Sequence, residues 1–248
     1  MNIYVLSLKD SKRRSIFSQN NHFLVGDYIF FDAVEGKLLP NDYIRSINES
    51  TKRYKRSIGK NEIACADSHI TIYQDMIKKE IEWAIIFEDD VIIDKKISQL
   101  ITYEKNNLDK MSIYILGGQD GLPSKEMIVT SKKDKIMVSD NIELKKTIAS
   151  SKYIYRTCCY LIHLELAKKI VEKRKTHFFL ADDWSFLHKN KIINDFYISD
   201  CVTHPIDLDN SIIQNERNVH KKENIIFKLK NSKLRNYKIK LRKIIYGQ

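Results

Sequence analysis

Trp83-Ala84-Ile85-Ile86-Phe87-Glu88-Asp89-Asp90-Val91 decides the fold, because a fully apolar run stops there at three consecutive carboxylates. An apolar run of this length, rich in β-branched and aromatic residues, reads as a buried central strand. Its carboxylates then sit at the strand's carboxyl end, the rim where ligands bind in open α/β sheets. Three adjacent carboxylates repel one another unless a cation or hydrogen-bond donors compensate, and a divalent metal does this most economically. The bland reading of the same residues is a solvated loop after a strand.

Outward from this strand, strand-like and helix-like periods alternate. Upstream, Ile63, Ala66, Ile70, Tyr73 and Ile77 recur at helical spacing and predict a helix over about residues 61–79. Before it, Met1 to Leu8 reads as a first strand and Tyr28 to Val34 as a second, with a short polar helix between. Downstream, residues 95–110 read as helical, followed by the strand Ser112 to Leu116 and the loop Gly117 to Gly121. Short strand-like pieces surround Met127-Ile128-Val129 and Ile136-Met137-Val138. Thr157 to Ile162 reads as another buried strand feeding a helix over Leu164 to Lys175. Alternation of this kind predicts a mixed α/β sheet covered by helices on both faces.

With 248 residues and 43% hydrophobic content, the chain can bury a core without disulfides or a structural metal. The four cysteines, Cys65, Cys158, Cys159 and Cys201, form no C-x-x-C pair and read as reduced thiols of a cytosolic protein. The apolar start is eight residues long and precedes its basic residues, the reverse of a secretory signal, and no uncharged apolar run reaches transmembrane length. The net charge of +11 is concentrated at one end. Residues 221–248 hold ten basic residues against Glu223 alone, a net +9, whereas the other 220 residues are nearly neutral at +2. This division disfavours a nucleic-acid-binding body.

A second handover from apolar residues to carboxylates occurs at Phe178-Phe179-Leu180-Ala181-Asp182-Asp183-Trp184. Two acidic sites in one domain suggest a division of labour, one holding a metal and the other supplying a general base. Either aspartate also suits the N-cap of a short helix from Trp184. His69 falls beside the apolar stripe of its helix, where periodicity alone favours a hydrogen-bonded histidine over a ligand. The other histidines, at 22, 163, 177, 188, 204 and 220, show no metal-ligand spacing among themselves, which disfavours a zinc enzyme. P-loop, early dinucleotide and nucleophile-elbow motifs are absent, which argues against phosphate-loop hydrolysis, dinucleotide oxidoreduction and α/β-hydrolase chemistry.

The order of these pieces resembles glycosyltransferase family 25, the bacterial lipooligosaccharide and lipopolysaccharide sugar transferases. The resemblance is carried by Ile3 to Asp10 with Arg13-Arg14, Phe31-Asp32-Ala33-Val34-Glu35-Gly36, and Asn61-Glu62-Ile63-Ala64-Cys65-Ala66-Asp67-Ser68-His69. It continues through Ile85 to Val91, Tyr160-Leu161-Ile162 with Ala167-Lys168-Lys169, and Ala181-Asp182-Asp183-Trp184, covering about residues 1–215. Asn61 and Ala64 replace two glycines of the family motif, and Asp67 stands where an apolar residue is usual. The resemblance implies a GT-A-type nucleotide-sugar fold over residues 1–215, with residues 216–248 as a basic tail. It implies Asp90 as the principal ligand of a Mn²⁺ or Mg²⁺ bridging the donor diphosphate, with Glu88, Asp89, Ser68 and His69 in donor binding. It further implies an inverting transfer in which Asp183 or Asp182 takes the acceptor's proton. The expected activity is hexose transfer, most directly galactose from UDP-galactose, onto a lipid-linked bacterial surface glycan.

In the tail, Phe227, Leu234, Tyr237, Leu241 and Ile244 recur largely at helical spacing, with Lys228, Arg235, Lys238 and Arg242 at other positions. A basic amphipathic helix of this kind is a candidate for lying on an anionic membrane surface, here the cytoplasmic face of the bacterial inner membrane. A helix packed back on the body is the competing reading. The alternative function is a nucleic-acid-binding protein or carboxylate-metal nuclease that uses the basic tail as its backbone contact.

Overall fold

A computed structural model describes residues 1–24, 26–205 and 232–246, with the side chains of the last stretch described from residue 239 onward. The expected boundary between residues 215 and 216 therefore lies outside the described residues, as do His220, Phe227 and Lys228. A nine-stranded mixed sheet forms the centre. Its strands are β1 (Asn2–Ser7), β2 (Tyr28–Asp32), β3 (Trp83–Glu88), β4 (Ile92–Ile93), β5 (Ile113–Gly117), β6 (Thr130–Ser139), β7 (Ile142–Thr147), β8 (Cys159–His163) and β9 (Phe196–Thr203). Their order is β2-β1-β3-β8-β5-β9-β7-β6, with β4 paired to β9. β1 lies parallel to both β2 and β3, and β5 lies parallel to β9. β8 is antiparallel to both β3 and β5, which makes the sheet mixed as expected.

The helices are α1 (Arg13–Asn20), α2 (Asn41–Ser50), α3 (Lys60–Lys78), α4 (Ile97–Thr102), α5 (Leu164–Thr176), α6 (Trp184–Lys189) and α7 (Ser232–Tyr246). Strand side chains alternate between faces, so each strand feeds two cores. Tyr4, Leu6, Ala84 and Ile86 join Ile70, Tyr73 and Met76 of α3, Leu166 and Ile170 of α5, and Trp184 on one face. Ile3, Val5, Ile85 and Phe87 join Phe17 of α1 and Ile97 and Leu100 of α4 on the other. β3 is buried along Trp83–Phe87, and only Glu88 at its end gains solvent. Among the described residues, no helix is long and apolar enough to cross a membrane.

Two expectations change in detail, and two elements are added. The helix expected over 95–110 is the short α4, because the chain turns extended at Tyr103 and continues as a single 3₁₀ turn. The strand piece expected around Ile136-Met137-Val138 lies within β6 of the β6–β7 hairpin, whereas Met127 ends a 3₁₀ turn and Ile128-Val129 form no strand. β9 and α2 fall in stretches where the sequence reading placed no element.

α7 packs back on the body through Ile239, buried against Val129 and Tyr153, while Arg242 Nη1 donates to the Ala149 carbonyl at 2.8 Å. Leu241, Ile244, Ile245 and Tyr246 of the same helix are exposed.

Candidate active site

A cavity of about 670 Å³ opens at the carboxyl ends of the three parallel strands. Ser7 and Leu8 follow β1, Ala33 to Lys37 follow β2, Glu88 to Asp90 follow β3, and Lys60, Asn61, Ala64, Cys65 and Ser68 come from the first half of α3. β1 sits between β2 and β3, so the cavity occupies a place where the chain leaves the sheet in opposite directions. Arg13, Lys37 and Lys60 line it together with the acids.

The three acids have different surroundings. Asp89 is fixed by Ser7, whose Oγ donates to Oδ2 at 2.5 Å, and by Arg13 Nη1, 3.4 Å from Oδ1. The same Arg13 nitrogen lies 3.4 Å from Asp90 Oδ2. The other oxygen of Asp90, Oδ1, is buried with no hydrogen-bond partner and faces His204 Nε2 at 3.5 Å. Burial and the neighbouring Glu88 charge push the Asp90 carboxyl above its ordinary range, offset only in part by His204 and Arg13. Glu88 Oε1 accepts from Thr157 Oγ1 at 2.7 Å and lies 3.8 Å from His69 Nε2. Burial alone would raise Glu88, but His69 and Thr157 favour its charged form and hold it below the ordinary range. Asp90 is thus the carboxylate short of positive charge. An unpartnered buried oxygen beside an imidazole nitrogen is a donor pair that fits a divalent cation of the Mn²⁺ type.

His204 is the residue that sequence reasoning passed over. It follows β9, which pairs with β5 and with the short β4 just after the acids. Spacing among histidines could not find it, because its partner is an aspartate on a distant strand. Arg13, read only as part of a basic turn, is the residue that bridges Asp89 and Asp90.

Ser68 lines the cavity, and its hydroxyl also works inside the fold: it donates to the Ala64 carbonyl at 2.7 Å and accepts from Val34 N at 2.9 Å. Ser68 therefore ties the loop after β2 to α3. Ser68→Ala is expected to strip the Val34 N–H of its acceptor and cost about 1–2 kcal/mol, measured by denaturant unfolding. Gly36 in that loop meets α3 directly, since a Cβ there would lie 2.3 Å from Asn61 Oδ1. His69 is buried beneath the cavity, with Nδ1 2.7 Å from the Tyr160 hydroxyl.

Asp182 and Asp183 stand outside the lining of this cavity but are tied to it through one segment. Arg156 N donates to Asp182 Oδ2 at 3.2 Å, and the next residue, Thr157, holds Glu88. Arg156 adopts a left-handed backbone with φ of 67°, and its carbonyl accepts from Trp184 Nε1. Asp183 caps α6, with Oδ1 accepting from Phe186 N at 3.2 Å. Its Oδ2 accepts from the Tyr54 hydroxyl at 2.7 Å and pairs with Arg53 at 3.1 Å. Asp183→Ala removes the cap and strips the Tyr54 hydroxyl proton of its acceptor, so a loss of about 2 kcal/mol is expected in a thermal melt.

Residues 1–185 match the family model described as glycosyltransferase family 25 (LPS biosynthesis protein). A "Glycosyltransferase 25 family member" of Aedes aegypti is 26% identical over 179 residues, covering 69% of this chain and 28% of that protein. Human "Procollagen galactosyltransferase 2" is 24% identical over 184 residues, covering 68% of this chain and 27% of that protein. The chain thus spans little more than a quarter of the length of these curated relatives, which also include family members named as inactive. Among solved structures, a glycosyltransferase involved in the glycosylation of the major capsid of PBCV-1 aligns with 12% identity and a TM-score of 0.40, covering 82% of this chain and 93% of that one.

Proposed function

The chain belongs to glycosyltransferase family 25, and on that premise we propose that it moves a hexose from a nucleotide sugar to a glycan acceptor, with the donor in the cavity at the ends of β1, β2 and β3. The observation that carries this reading is the buried, unpartnered Asp90 Oδ1 facing His204 Nε2 inside that cavity. Asp90 and His204 would hold Mn²⁺ or Mg²⁺, which neutralises charge on a departing diphosphate. Arg13 bridges Asp89 and Asp90 and supplies a positive charge beside them. Ser7 locks Asp89, which leaves Asp89 and Glu88 as acceptors for ribose or sugar hydroxyls. Lys60, at the amino end of α3, adds a cation where a helix terminus already favours an anion.

The proton of the acceptor hydroxyl is assigned to the Asp182–Asp183 pair, of which Asp182 is joined to Glu88 through Arg156 and Thr157. If transfer inverts the anomeric centre, this base must act on the face opposite the leaving group. Asp182→Asn and Asp183→Asn separate the roles: the base variant keeps donor binding and loses turnover by about 10²–10⁴-fold, while the other keeps turnover. The name of the human relative favours galactose, and the family description favours a bacterial surface glycan precursor as acceptor. Incubation with Mn²⁺ and a panel of nucleotide sugars tests the reading. Binding with hydrolysis or transfer of at least one hexose is expected, and no binding and no turnover for any donor would refute it.

The tail completes the proposal. The exposed Leu241, Ile244, Ile245 and Tyr246 lie beside Lys240 and Lys243, a surface suited to anionic headgroups at the cytoplasmic face of an inner membrane. Each basic residue near such a surface contributes on the order of 1 kcal/mol. Full-length protein is expected to co-sediment with anionic liposomes and the chain lacking residues 221–248 is not. Equal co-sedimentation of the two removes the membrane role.

A further inference from the structure

At the floor of the cavity Glu88 meets two residues of α3, Cys65 and His69, that have no part in the transfer proposed above. Cys65 and His69 are one turn apart on the same face of α3. Cys65 Sγ, a ring nitrogen of His69 and a Glu88 carboxylate oxygen all lie within 4.8 Å of one another. His69 is 2% exposed, and its Nε2 has no hydrogen-bond partner.

The tautomer of His69 decides what Nε2 can offer. Its Nδ1 is 2.7 Å from the Tyr160 hydroxyl, which lies 2.7 Å from the Tyr73 hydroxyl. The tautomer with Nδ1–H donating to Tyr160 leaves a lone pair on Nε2, 3.8 Å from the Glu88 carboxylate. In that tautomer two buried electron pairs face each other and call for a cation between them, and 3.8 Å is too long for a direct N–H···O bond. Hydrogen bonding at the far nitrogen is also how metal-bound histidines are held.

We propose that Cys65, His69 and Glu88 form a Zn²⁺ site, separate from the Asp90–His204 position. One sulfur, one imidazole nitrogen and one carboxylate oxygen match the ligand chemistry of a three-residue zinc site whose fourth position is left to water. Tetrahedral zinc holds such ligands about 3.3–3.6 Å apart, so closure needs a contraction of about 1 Å. Binding converts the Cys65 thiol to a thiolate and releases its proton to the buffer. Cys65 and Glu88 both line the cavity, so the open position faces it. Occupancy ties Glu88 to α3, and Zn²⁺ accordingly weakens nucleotide-sugar binding. That last consequence rests on the proposed function, whereas metal binding itself does not.

The test uses the full chain and Co²⁺ as a spectroscopic stand-in for Zn²⁺. One Co²⁺ per chain with a thiolate-to-metal charge-transfer band is expected. The band should vanish in Cys65→Ser and persist in Cys201→Ser, and affinity should fall by at least about tenfold in Glu88→Gln. A second readout on the unaltered chain is alkylation followed by mass spectrometry. Cys65 is the partly exposed cysteine of the four, and Zn²⁺ should slow its alkylation by at least about tenfold. Absence of both the band and the protection, or a band that survives in Cys65→Ser, overturns the site. Because neither readout uses a nucleotide sugar, failure here leaves the transferase reading to be judged by its own assay.

Discussion

Asp90→Asn is expected to lower metal-dependent turnover by about 10³-fold while the metal-free protein melts at the same or a slightly higher temperature. Asparagine keeps the shape of the side chain and removes the charge that would draw a cation. Oδ1 of Asp90 is buried, without a hydrogen-bond partner, and 3.5 Å from His204 Nε2, so the fold loses only the charge in the 3.4 Å pair of Oδ2 with the half-exposed Arg13, a contact the asparagine oxygen keeps as a neutral acceptor. The sign of the stability change follows from the raised Asp90 carboxyl, whose first cause is burial and second the charge of Glu88. A carboxyl raised in the folded state makes ionisation a cost of folding. That cost sets in as pH rises through the ordinary carboxylate range and is complete above the raised value. Removing the charge removes the cost, so activity and stability move in opposite directions, as they do where a site is built at the expense of the fold. Steady-state kinetics with Mn²⁺ and a melt in chelator measure the two halves. An Asp90→Asn protein with undiminished turnover would displace the cation from this residue.

Gly117→Ala is expected to destabilise the protein by about 3 kcal/mol or more and to abolish metal-dependent nucleotide binding without touching a lining residue of the cavity. Gly117 has φ of +151°, and a Cβ there would lie 1.9 Å from the Val202 carbonyl oxygen. Backbone cannot yield as a side-chain tip can. Gly117 ends β5 opposite Val202 of β9, where the register shifts, and the next amide, Gly118 N, donates to Val202 O at 3.2 Å. Forcing these strands apart moves Val202, and with it His204 two residues on. For a domain of this size the penalty corresponds to a fall in melting temperature of about 6–12 °C. Differential scanning calorimetry and nucleotide titration check both effects. Retention of metal-dependent binding in a folded Gly117→Ala protein would uncouple β9 from the site.

What could be read from the chain follows physical locality. β3 announces itself because a strand buried on both faces must be apolar throughout, and α3 because its inward stripe repeats at 3.6 residues. The rim acids Glu88, Asp89 and Asp90 follow directly from the end of β3, and they line the cavity with Ser68. β9 escaped because Phe196, Ser199, Cys201 and Val202 are its buried positions, interrupted by Asp200 and by a register shift against β5. Neither strand nor helix period survives such a pattern. Of the β6–β7 hairpin only Ile136 to Val138 was legible, because Lys132, Lys133 and Lys135 face solvent and only one side needs apolar residues.

The site was legible as types of residue and not as an assembly. His204 meets Asp90, Cys65 and His69 meet Glu88, and Arg13 meets two acids only because distant strands end at one rim. The second acidic pair illustrates the limit. Helix capping and general-base chemistry both call for an aspartate before Trp184, and in the fold Asp183 caps α6 while Asp182 receives the Arg156 amide.

The central claim is that a divalent cation sits between Asp90 and His204 and faces the donor diphosphate. Crystals grown with Mn²⁺ and a nucleoside diphosphate, measured at the manganese edge, test it directly. An anomalous peak within bonding distance of an Asp90 carboxylate oxygen and His204 Nε2, with diphosphate oxygens on its open side, is the expected result. A nucleotide bound in the cavity with no manganese beside Asp90, or manganese held only by other residues, would contradict it.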